Sequence, residues 1–292
     1  MKIALHSRSF ETHKFPFIKT VIDELVKREN VQILLSKDFK SYLDGVGYEC
    51  GYATIFESYL DLKDTDLMIS IGGDGTLLES VTLIRDNDIP ILGINTGRLG
   101  FLATVSSDRI KDSLDAVLNG YHSYDERTLI SLDSSNGIFG EFNFGLNEFT
   151  ISKRDIASMI IVHTYIDGEF LNSYWADGLI IATPTGSTAY SISVGGPVVL
   201  PHSTSFIISP ISPHNLNVRP MIVSDNSVLS FEIESRNNNF LVSLDSRSYI
   251  VDAEVQLAVR KCDFKVRLIR LNGENFLHTL RQKLKWGLDT RN

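Results

Sequence analysis

The hydrophobic pattern of the chain changes near residue 120, and no other feature constrains the fold as strongly. Up to about residue 119, short apolar runs alternate with segments whose apolar residues recur with the helical period. This pattern is typical of a parallel sheet flanked by helices. The predicted strands are 3–5, 31–35, 67–71 and 91–94, and the predicted helices are 17–28, 77–85 and 110–118. Helix 17–28 would bury the face formed by Ile18, Val21, Ile22 and Leu25.

From about residue 121 the apolar residues alternate with a period of two, with turn residues at short intervals. Asp167-Gly168 separates two such runs and predicts a hairpin. Further predicted strands are 159–165, 228–233, 240–244, 255–259 and 264–269, which together favour an antiparallel sandwich. Residues 276–286 return to helical spacing, and this helix is predicted to pack outside the sandwich.

The predicted fold class is therefore α/β plus all-β. An N-terminal Rossmann-like parallel-sheet domain spans residues 1–120, and residues 275–292 pack back on it as a C-terminal helix. An antiparallel β-sandwich domain spans residues 121–274. A chain of 292 residues is long enough for two such domains.

Composition excludes some classes of protein. The formal net charge of −8 argues against sequence-independent binding of nucleic acid, although backbone N–H groups can still bind a small phosphate ligand. No apolar run approaches the roughly 18 residues that a membrane-spanning helix needs. The N-terminal apolar run is too short for a signal peptide, and Cys50 and Cys262 stand alone, so we expect a cytoplasmic protein without a membrane partner.

The stretch Ser-Ile-Gly-Gly-Asp-Gly-Thr, residues 70–76, follows a predicted strand and enters a predicted helix. Open α/β sheets bind ligands at such strand ends, and Gly72, Gly73 and Gly75 would let a phosphate approach the backbone. Neither the lysine of a P-loop nor a G-x-G-x-x-G fingerprint is present. An acid among phosphates is costly unless it holds a metal or takes a proton, so Asp74 is a candidate base. The alternative is a tight turn in which Asp74 caps the helix.

A second stretch, residues 177–197, runs from a short apolar strand into a loop dense in hydroxyl groups and small residues. We expect Tyr190 to be buried and, with the turn Gly195-Gly196-Pro197, to shape a cavity for a flat ligand. A long surface loop is the alternative. The pair Asn147-Glu148 could likewise end a strand in solvent, and Asp177-Gly178 could be a plain turn.

Together these residues resemble the NAD kinase family. The resemblance rests on residues 72–76, Asn147-Glu148, residues 177–197, Pro213-His214 with Arg219-Pro220, and residues 280–287, in that order along the chain. Gly-Gly-Asp-Gly alone is weak, because diacylglycerol-type lipid kinases and phosphofructokinases share a similar element. Joined to Thr-Pro-Thr-Gly-Ser-Thr-Ala-Tyr, residues 183–190, it is specific.

The resemblance implies transfer of the terminal phosphoryl group of ATP to the adenosine ribose 2′-hydroxyl of NAD, giving NADP. It also implies a divalent metal, Mg²⁺ being expected, and a homodimer or homotetramer. Two rival functions are a related lipid or sugar kinase and a non-catalytic module that senses a dinucleotide. At the positions that match the family's motifs, the resemblance implies Asp74 as the proton acceptor, with Gly72, Gly73 and Gly75 beside it. It implies hydrogen bonds to the dinucleotide from Asn147, Glu148 and Asp177. It also implies a pocket lined by Thr188, Ala189, Tyr190 and Ser193.

The chain departs from the family pattern at two places. Asp245-Ser246-Arg247 stands where the family often has Asp-Gly-Gln, so Arg247 could replace an amide contact to the dinucleotide or meet a phosphate bidentately. Trp175 stands where a basic residue is common, and it can stack on a ring but supplies no charge. The sequence identifies no metal ligands, and the role of His214 stays open between ligand contact and loop structure.

Overall fold

The computed structural model describes residues 1–8, 12–97, 100–155, 158–273 and 275–287. The chain divides into two compact units, Met1–Glu126 with Val266–Asn292, and Arg127–Lys265. Among the residues described, no helix is both long and apolar enough to cross a membrane.

Strands and helices follow the chain in this order. The first part contains β1 (Lys2–His6), α1 (Phe15–Val26), β2 (Gln32–Ser36), α2 (Lys37–Gly45), β3 (Thr54–Phe56), β4 (Leu67–Gly72), α3 (Asp74–Ile84), β5 (Ile91–Asn95) and α4 (Ile110–Leu118). The middle and last parts contain β6 (His122–Ser134), β7 (Phe144–Gly145), β8 (Glu148–Ser152), β9 (Ile160–Ile166), β10 (Glu169–Ala176), β11 (Gly178–Ala182), α5 (Tyr190–Ser193), β12 (Ser205–Ile211), β13 (Met221–Ser224), β14 (Leu229–Glu234), β15 (Asn239–Leu244), β16 (Arg247–Asp252), β17 (Leu257–Leu271) and α6 (Phe276–Leu284).

The first unit is built on a parallel sheet with the order β5-β4-β1-β2-β3, and the end of β17 lies beside β5. After β1 the chain moves outward to β2 and β3, and it then returns to place β4 on the other side of β1. The strand order therefore reverses between β1 and β4, which is the position where open α/β sheets bind ligands. The predicted face of α1 is confirmed, because Ile18, Val21, Ile22 and Leu25 are all fully buried against this sheet.

The second unit is a sandwich of two antiparallel sheets. One has the order β10-β9-β14-β17, and the other has the order β13-β12-β11-β8-β15-β16. Their inner faces share a core in which the rings of Phe149 and Phe231 lie 5.8 Å apart. The predicted hairpin is confirmed, since Asp167 and Gly168 connect β9 to β10 with φ angles of 51° and 85°. Two consecutive positive φ angles fit the tight turns that join twisted strands.

The predicted fold class is confirmed, with local differences. Residues 255–259 and 264–269 were predicted as separate strands, but residues 257–259 and 264–269 lie in the single strand β17, which begins two residues later than predicted. The polar residues between them stay in the ladder because a strand needs only backbone pairing, and Arg260 forms ion pairs with Asp133 and Asp263 on its exposed side. Helix α6 begins where Asn275 caps the amide of His278 at 2.7 Å, and Phe276 packs near Phe101 in the first unit.

Candidate functional site

The glycines where β4 meets α3 serve different purposes. Gly72 is required by packing, because a Cβ there would lie 2.3 Å from the Thr76 hydroxyl oxygen. Gly73 and Gly75 are exposed, and a Cβ on Gly73 would meet nothing within 4 Å. A Cβ on Gly75 would come no closer than 3.6 Å to its nearest neighbour, the Arg8 guanidinium. Since packing does not demand the last two glycines, their bare backbone is suited to the close approach of a ligand.

The carboxylate of Asp74 is held by the backbone of the loop after β5. Its Oδ2 accepts the N–H of Phe101 at 2.8 Å, and its Oδ1 accepts those of Leu102 and Ala103 at 3.0 Å each. Gly100 lies against this carboxylate, because a Cβ there would fall 1.9 Å from Oδ1. The alternative of a helix cap does not describe this residue, since Gly73 occupies the N-cap position and Asp74 is the first residue of α3.

This arrangement leaves Asp74 one defined acceptor position. Each carboxylate oxygen has two lone pairs, and Oδ1 uses both while Oδ2 uses one within the described part of the chain. A hydroxyl group that approaches Oδ2 can therefore donate to a carboxylate that is already fixed in direction. Asp74 itself is half-buried, so part of the residue remains open to solvent.

Asp245 in the second unit is held by the same pattern of bonds. Its Oδ2 accepts the N–H of Leu146 at 2.8 Å, and its Oδ1 accepts those of Asn147 at 2.8 Å and Glu148 at 3.2 Å. The preceding Gly145 again leaves room, since a Cβ there would lie 3.0 Å from Oδ1. Burial raises the pKa of Asp245, although the three N–H groups oppose this shift. Sequence reasoning did not assign Asp245 a role, and only its place in the Asp-Ser-Arg stretch signals one.

Glu148 begins β8 beside this anchored backbone, and its side chain is buried. Burial and the charge of Asp245 raise the pKa of Glu148 to about 8, while the backbone N–H of Tyr190 opposes the shift. Its Oε2 has no hydrogen-bond partner among the described residues. Near neutral pH much of this group is protonated, so it can donate a hydrogen bond as well as accept one.

The loop after β11 packs on the same backbone. The Thr183 N–H donates to the carbonyl oxygen of Asn147 at 2.8 Å, and the Thr183 hydroxyl donates to that of Leu146 at 2.5 Å. Gly186 comes so close to Asn147 that a Cβ would fall 2.1 Å from its carbonyl oxygen. These contacts, together with the Tyr190 N–H on the Glu148 carboxylate, bring Asn147, Glu148 and Tyr190 together in one place.

The four residues that were predicted to line a pocket differ in exposure. Thr188 and Ala189 are half-buried, and Ser193 is exposed. The expectation that Tyr190 is buried is wrong, because its side chain is 45% exposed. Tyr190 begins the short helix α5, where its backbone N–H is used by Glu148 and its ring stays free to stack on a flat ligand.

The remaining predicted residues make contacts of other kinds. Asp177 pairs with the ammonium group of Lys153 at 2.6 Å. The Arg247 guanidinium donates to the carbonyl oxygens of Phe142, at 2.5 Å, and Phe144. It therefore holds the backbone next to β7, which leaves fewer donors for a dinucleotide. Trp175 is 53% exposed, and its carbonyl oxygen accepts the N–H of the exposed His214 at 2.8 Å.

The chain matches known proteins over its whole length. Residues 53–122 match the model of the ATP-NAD kinase N-terminal domain, and residues 146–271 match that of the C-terminal domain. NAD kinase of Cytophaga hutchinsonii is 54% identical, and that of Flavobacterium psychrophilum is 44% identical, each aligned over the whole of both chains.

Two crystal structures share the fold. Yeast NADH kinase complexed with NADH has a TM-score of 0.90 at 21% identity, covering 100% of this chain and 89% of that one. An NAD kinase from Archaeoglobus fulgidus in complex with ATP has a TM-score of 0.75 at 26% identity, covering 98% of this chain and 99% of that one. The chain belongs to the NAD kinase family and is a phosphotransferase that acts on NAD.

Proposed function

We propose that Asp74 accepts the proton of the adenosine ribose 2′-hydroxyl of NAD while that oxygen takes the terminal phosphoryl group of ATP, giving NADP and ADP. The observation that carries this proposal is the carboxylate that accepts three backbone N–H groups from the described residues, which leave one acceptor position on Oδ2. The relatives that bind NADH and ATP support both substrate classes.

The reaction depends mainly on positioning. The 2′-oxygen attacks the γ-phosphorus, the bond from that phosphorus to the ADP oxygen breaks, and the hydroxyl proton passes to Oδ2 of Asp74. Phosphoryl transfer has a loose transition state in most analyses, so the carboxylate orients the hydroxyl first and receives its proton late. A general base of this kind contributes about 10²- to 10⁴-fold to the rate. A fixed carboxylate suits this role because it needs no reorganisation during the reaction.

The NAD contacts we propose lie in the second unit. The Asn147 amide can both donate to and accept from an adenine edge, and the exposed Tyr190 ring can stack on a base. Glu148 and Asp177 would bind ribose hydroxyls, and Thr188, Ala189 and Ser193 would line the pocket. Arg247 would contribute through whichever donors the Phe142 and Phe144 carbonyl groups leave free. In terms of domains, residues 121–274 would bind NAD, and residues 1–120 with 275–292 would carry the Gly-Gly-Asp-Gly turn.

A divalent metal, Mg²⁺ in our proposal, would be held mainly by the substrate. Within the described ranges, no group of three or more His, Cys, Asp or Glu side chains is arranged to hold a metal ion. Mg²⁺ commonly keeps several waters and binds through substrate phosphates with one or two carboxylates, so such a group is not required. When bound with ATP, the ion would neutralise charge on the phosphate oxygens.

We also propose a cytoplasmic homodimer or homotetramer. Light scattering on the purified protein, with and without NAD, would measure its mass. A monomer in both conditions would contradict the assembly.

The proposed function is tested by a coupled assay for NADP with ATP, other nucleoside triphosphates or polyphosphate as the donor. We expect activity with ATP and Mg²⁺, and a collapse of turnover in Asp74→Asn while NAD binding, measured by calorimetry, persists. Asp112→Asn, an exposed substitution in α4, serves as the matched control. Absence of NADP with every donor would overturn the activity, and near-normal turnover of Asp74→Asn would remove the role of Asp74.

A further inference from the structure

The chain that follows β1 lies beside the turn that carries Asp74. His6 at the end of β1 pairs with Ser70 in β4, so the residues after these two strands reach the same edge of the parallel sheet. Ser7 is fully buried, and its hydroxyl donates to the carbonyl oxygen of Ile71. Arg8 therefore leaves the sheet from a fixed point, where the strand order reverses.

Glu79 in α3 fixes the direction of the Arg8 side chain. The guanidinium donates from Nε to one carboxylate oxygen of Glu79 at 2.5 Å and from Nη2 to the other. His6 also faces Glu79, because its Nε2 lies 3.3 Å from Oε2 of that carboxylate. The other ring nitrogen of His6, Nδ1, lies 2.9 Å from the Ser36 hydroxyl. Burial works against ionisation, but hydrogen bonds from His6 and Arg8 outweigh it and lower the pKa of Glu79 to about 2. Glu79 thus stays a carboxylate and keeps the guanidinium in place.

The opposite edge of the guanidinium lies next to Gly75. A Cβ added to Gly75 would lie 3.6 Å from Nη1 of Arg8. Nη1 is the guanidinium nitrogen that does not bond to Glu79. Arginine has five N–H donors and Glu79 takes two of them, so donors remain on the side that faces the turn. The side chain of Arg8 is 47% exposed, so a ligand at the uncovered backbone of Gly73 and Gly75 can reach it.

We propose that Arg8 binds phosphate oxygens of the phosphoryl donor, a nucleoside triphosphate. The inference rests on the proposed function and deepens it. In the proposed function, transfer takes place at Asp74, so the phosphates of the donor must come within reach of it. Among the described residues, Arg8 is a cation held beside the adjacent Gly75. A planar guanidinium matches the oxygens of a phosphate bidentately. The phosphates of NAD are the alternative ligand, and separate titration of ATP and NAD distinguishes the two.

The competing explanation is a structural ion pair between Arg8 and Glu79. Exposed ion pairs contribute little to stability. A purely structural ion pair therefore predicts that substitution of Arg8 has small effects on every kinetic constant. A role in donor binding instead predicts a selective effect, since the contact is made with one substrate only.

The experiment compares Arg8→Ala and Arg8→Lys with the unaltered enzyme, varying ATP and NAD separately. Loss of one charge-assisted hydrogen-bonding group should raise KM for ATP by about tenfold to 100-fold and leave KM for NAD unchanged. Arg8→Lys should recover part of the loss, because it restores the charge without the fork. Inorganic tripolyphosphate, used as a competitor of ATP, should inhibit Arg8→Ala more weakly by a similar factor.

Arg28→Ala is the matched control. Arg28 also pairs with a carboxylate, Asp115, in the same unit. It precedes β2, however, and so lies near the amino-terminal ends of the strands, whereas Arg8 follows the carboxyl end of β1. Its kinetic constants should equal those of the unaltered enzyme. Thermal melting identifies any variant that fails to fold, and Arg8→Lys then carries the test.

Three results would overturn the inference: an unchanged KM for ATP, an equal rise of both KM values, or a rise confined to NAD. If the unaltered enzyme made no NADP, the proposed function would fall. Calorimetry of ATP and tripolyphosphate binding to the enzyme and to Arg8→Ala would still decide the role of Arg8, because it requires no turnover.

Discussion

Substitution of Gly100 by alanine perturbs the candidate base without touching its own side chain. The added Cβ would lie 1.9 Å from Oδ1 of Asp74 and 2.7 Å from its Cγ. Non-bonded heavy atoms pack at about 3.5 Å, so these groups must separate by roughly 1.5 Å. Either the carboxylate turns away from the loop or the loop withdraws from the carboxylate, and both movements break some of the three N–H bonds.

The expected loss follows from these distances. A misplacement of about 1 Å at a reacting group can reduce turnover about 100-fold, so we expect at least that loss of kcat in Gly100→Ala. Each backbone N–H left unpaired in a buried place costs about 1–3 kcal/mol. The free energy of unfolding should therefore fall by a few kcal/mol at most, because water can reach part of this half-buried site.

Gly97→Ala is the matched control in the same loop. A Cβ there would lie 3.9 Å from its nearest neighbour, the Asn95 side-chain oxygen, which is an ordinary contact. Both variants are assayed for NADP formation and melted in urea. If Gly100→Ala had the same turnover and the same unfolding midpoint as Gly97→Ala, the three backbone N–H groups would not be what positions Asp74.

Three further predictions follow from the structure. Gly72→Ala should lower the free energy of unfolding by about 1–3 kcal/mol, because the added Cβ collides with Thr76. Gly75→Ala should leave the stability in urea unchanged but reduce NADP formation. Equal stability of the two variants would contradict this prediction. Asp245→Asn should raise KM for NAD and leave KM for ATP unchanged in the steady-state assay. The reason is that an amide cannot accept all three N–H groups that fix the Asn147 backbone. An unchanged KM for NAD would contradict the anchoring role of Asp245. The pKa of Glu148 is raised from 4.5 to about 8, so its contribution to stability is present below the lower value and is lost as pH rises through the higher one. Glu148→Gln should therefore gain stability relative to the unaltered enzyme between about pH 5 and pH 8 in urea titrations, and parallel pH profiles would refute the shift.

The parts of the structure that sequence predicted are those set by local pattern. The buried face of α1 follows from helical spacing, and the hairpin at Asp167-Gly168 follows from turn chemistry. The turn containing Asp74 was placed correctly because a strand, glycines and a helix follow one another directly. β17 was divided in two because polar residues interrupt its apolar runs, although backbone pairing continues through them.

The contacts that complete the site are not local. Asp74 meets N–H groups 27 to 29 residues away, and Asp245 meets N–H groups 97 to 99 residues away. Because these donors belong to the main chain, no residue type at the donor positions reveals them. Arg8 lies 71 residues from Glu79, and an arginine after a short strand carries no periodic signal. The openness of Tyr190 was missed since an aromatic ring in a glycine-rich loop fits a buried or an exposed place equally well.

The two aspartates held by peptide N–H groups differ from most acidic sites in what they require of their neighbours. Any amino acid except proline supplies the same donor, so the hydrogen bonds to Asp74 set no requirement on the side chains of Phe101, Leu102 and Ala103. These contacts constrain the length of the acid and the glycine that precedes each set of donors, Gly100 or Gly145. Among distant homologues, the orientation of such a carboxylate can therefore persist where the surrounding sequence has lost all visible similarity.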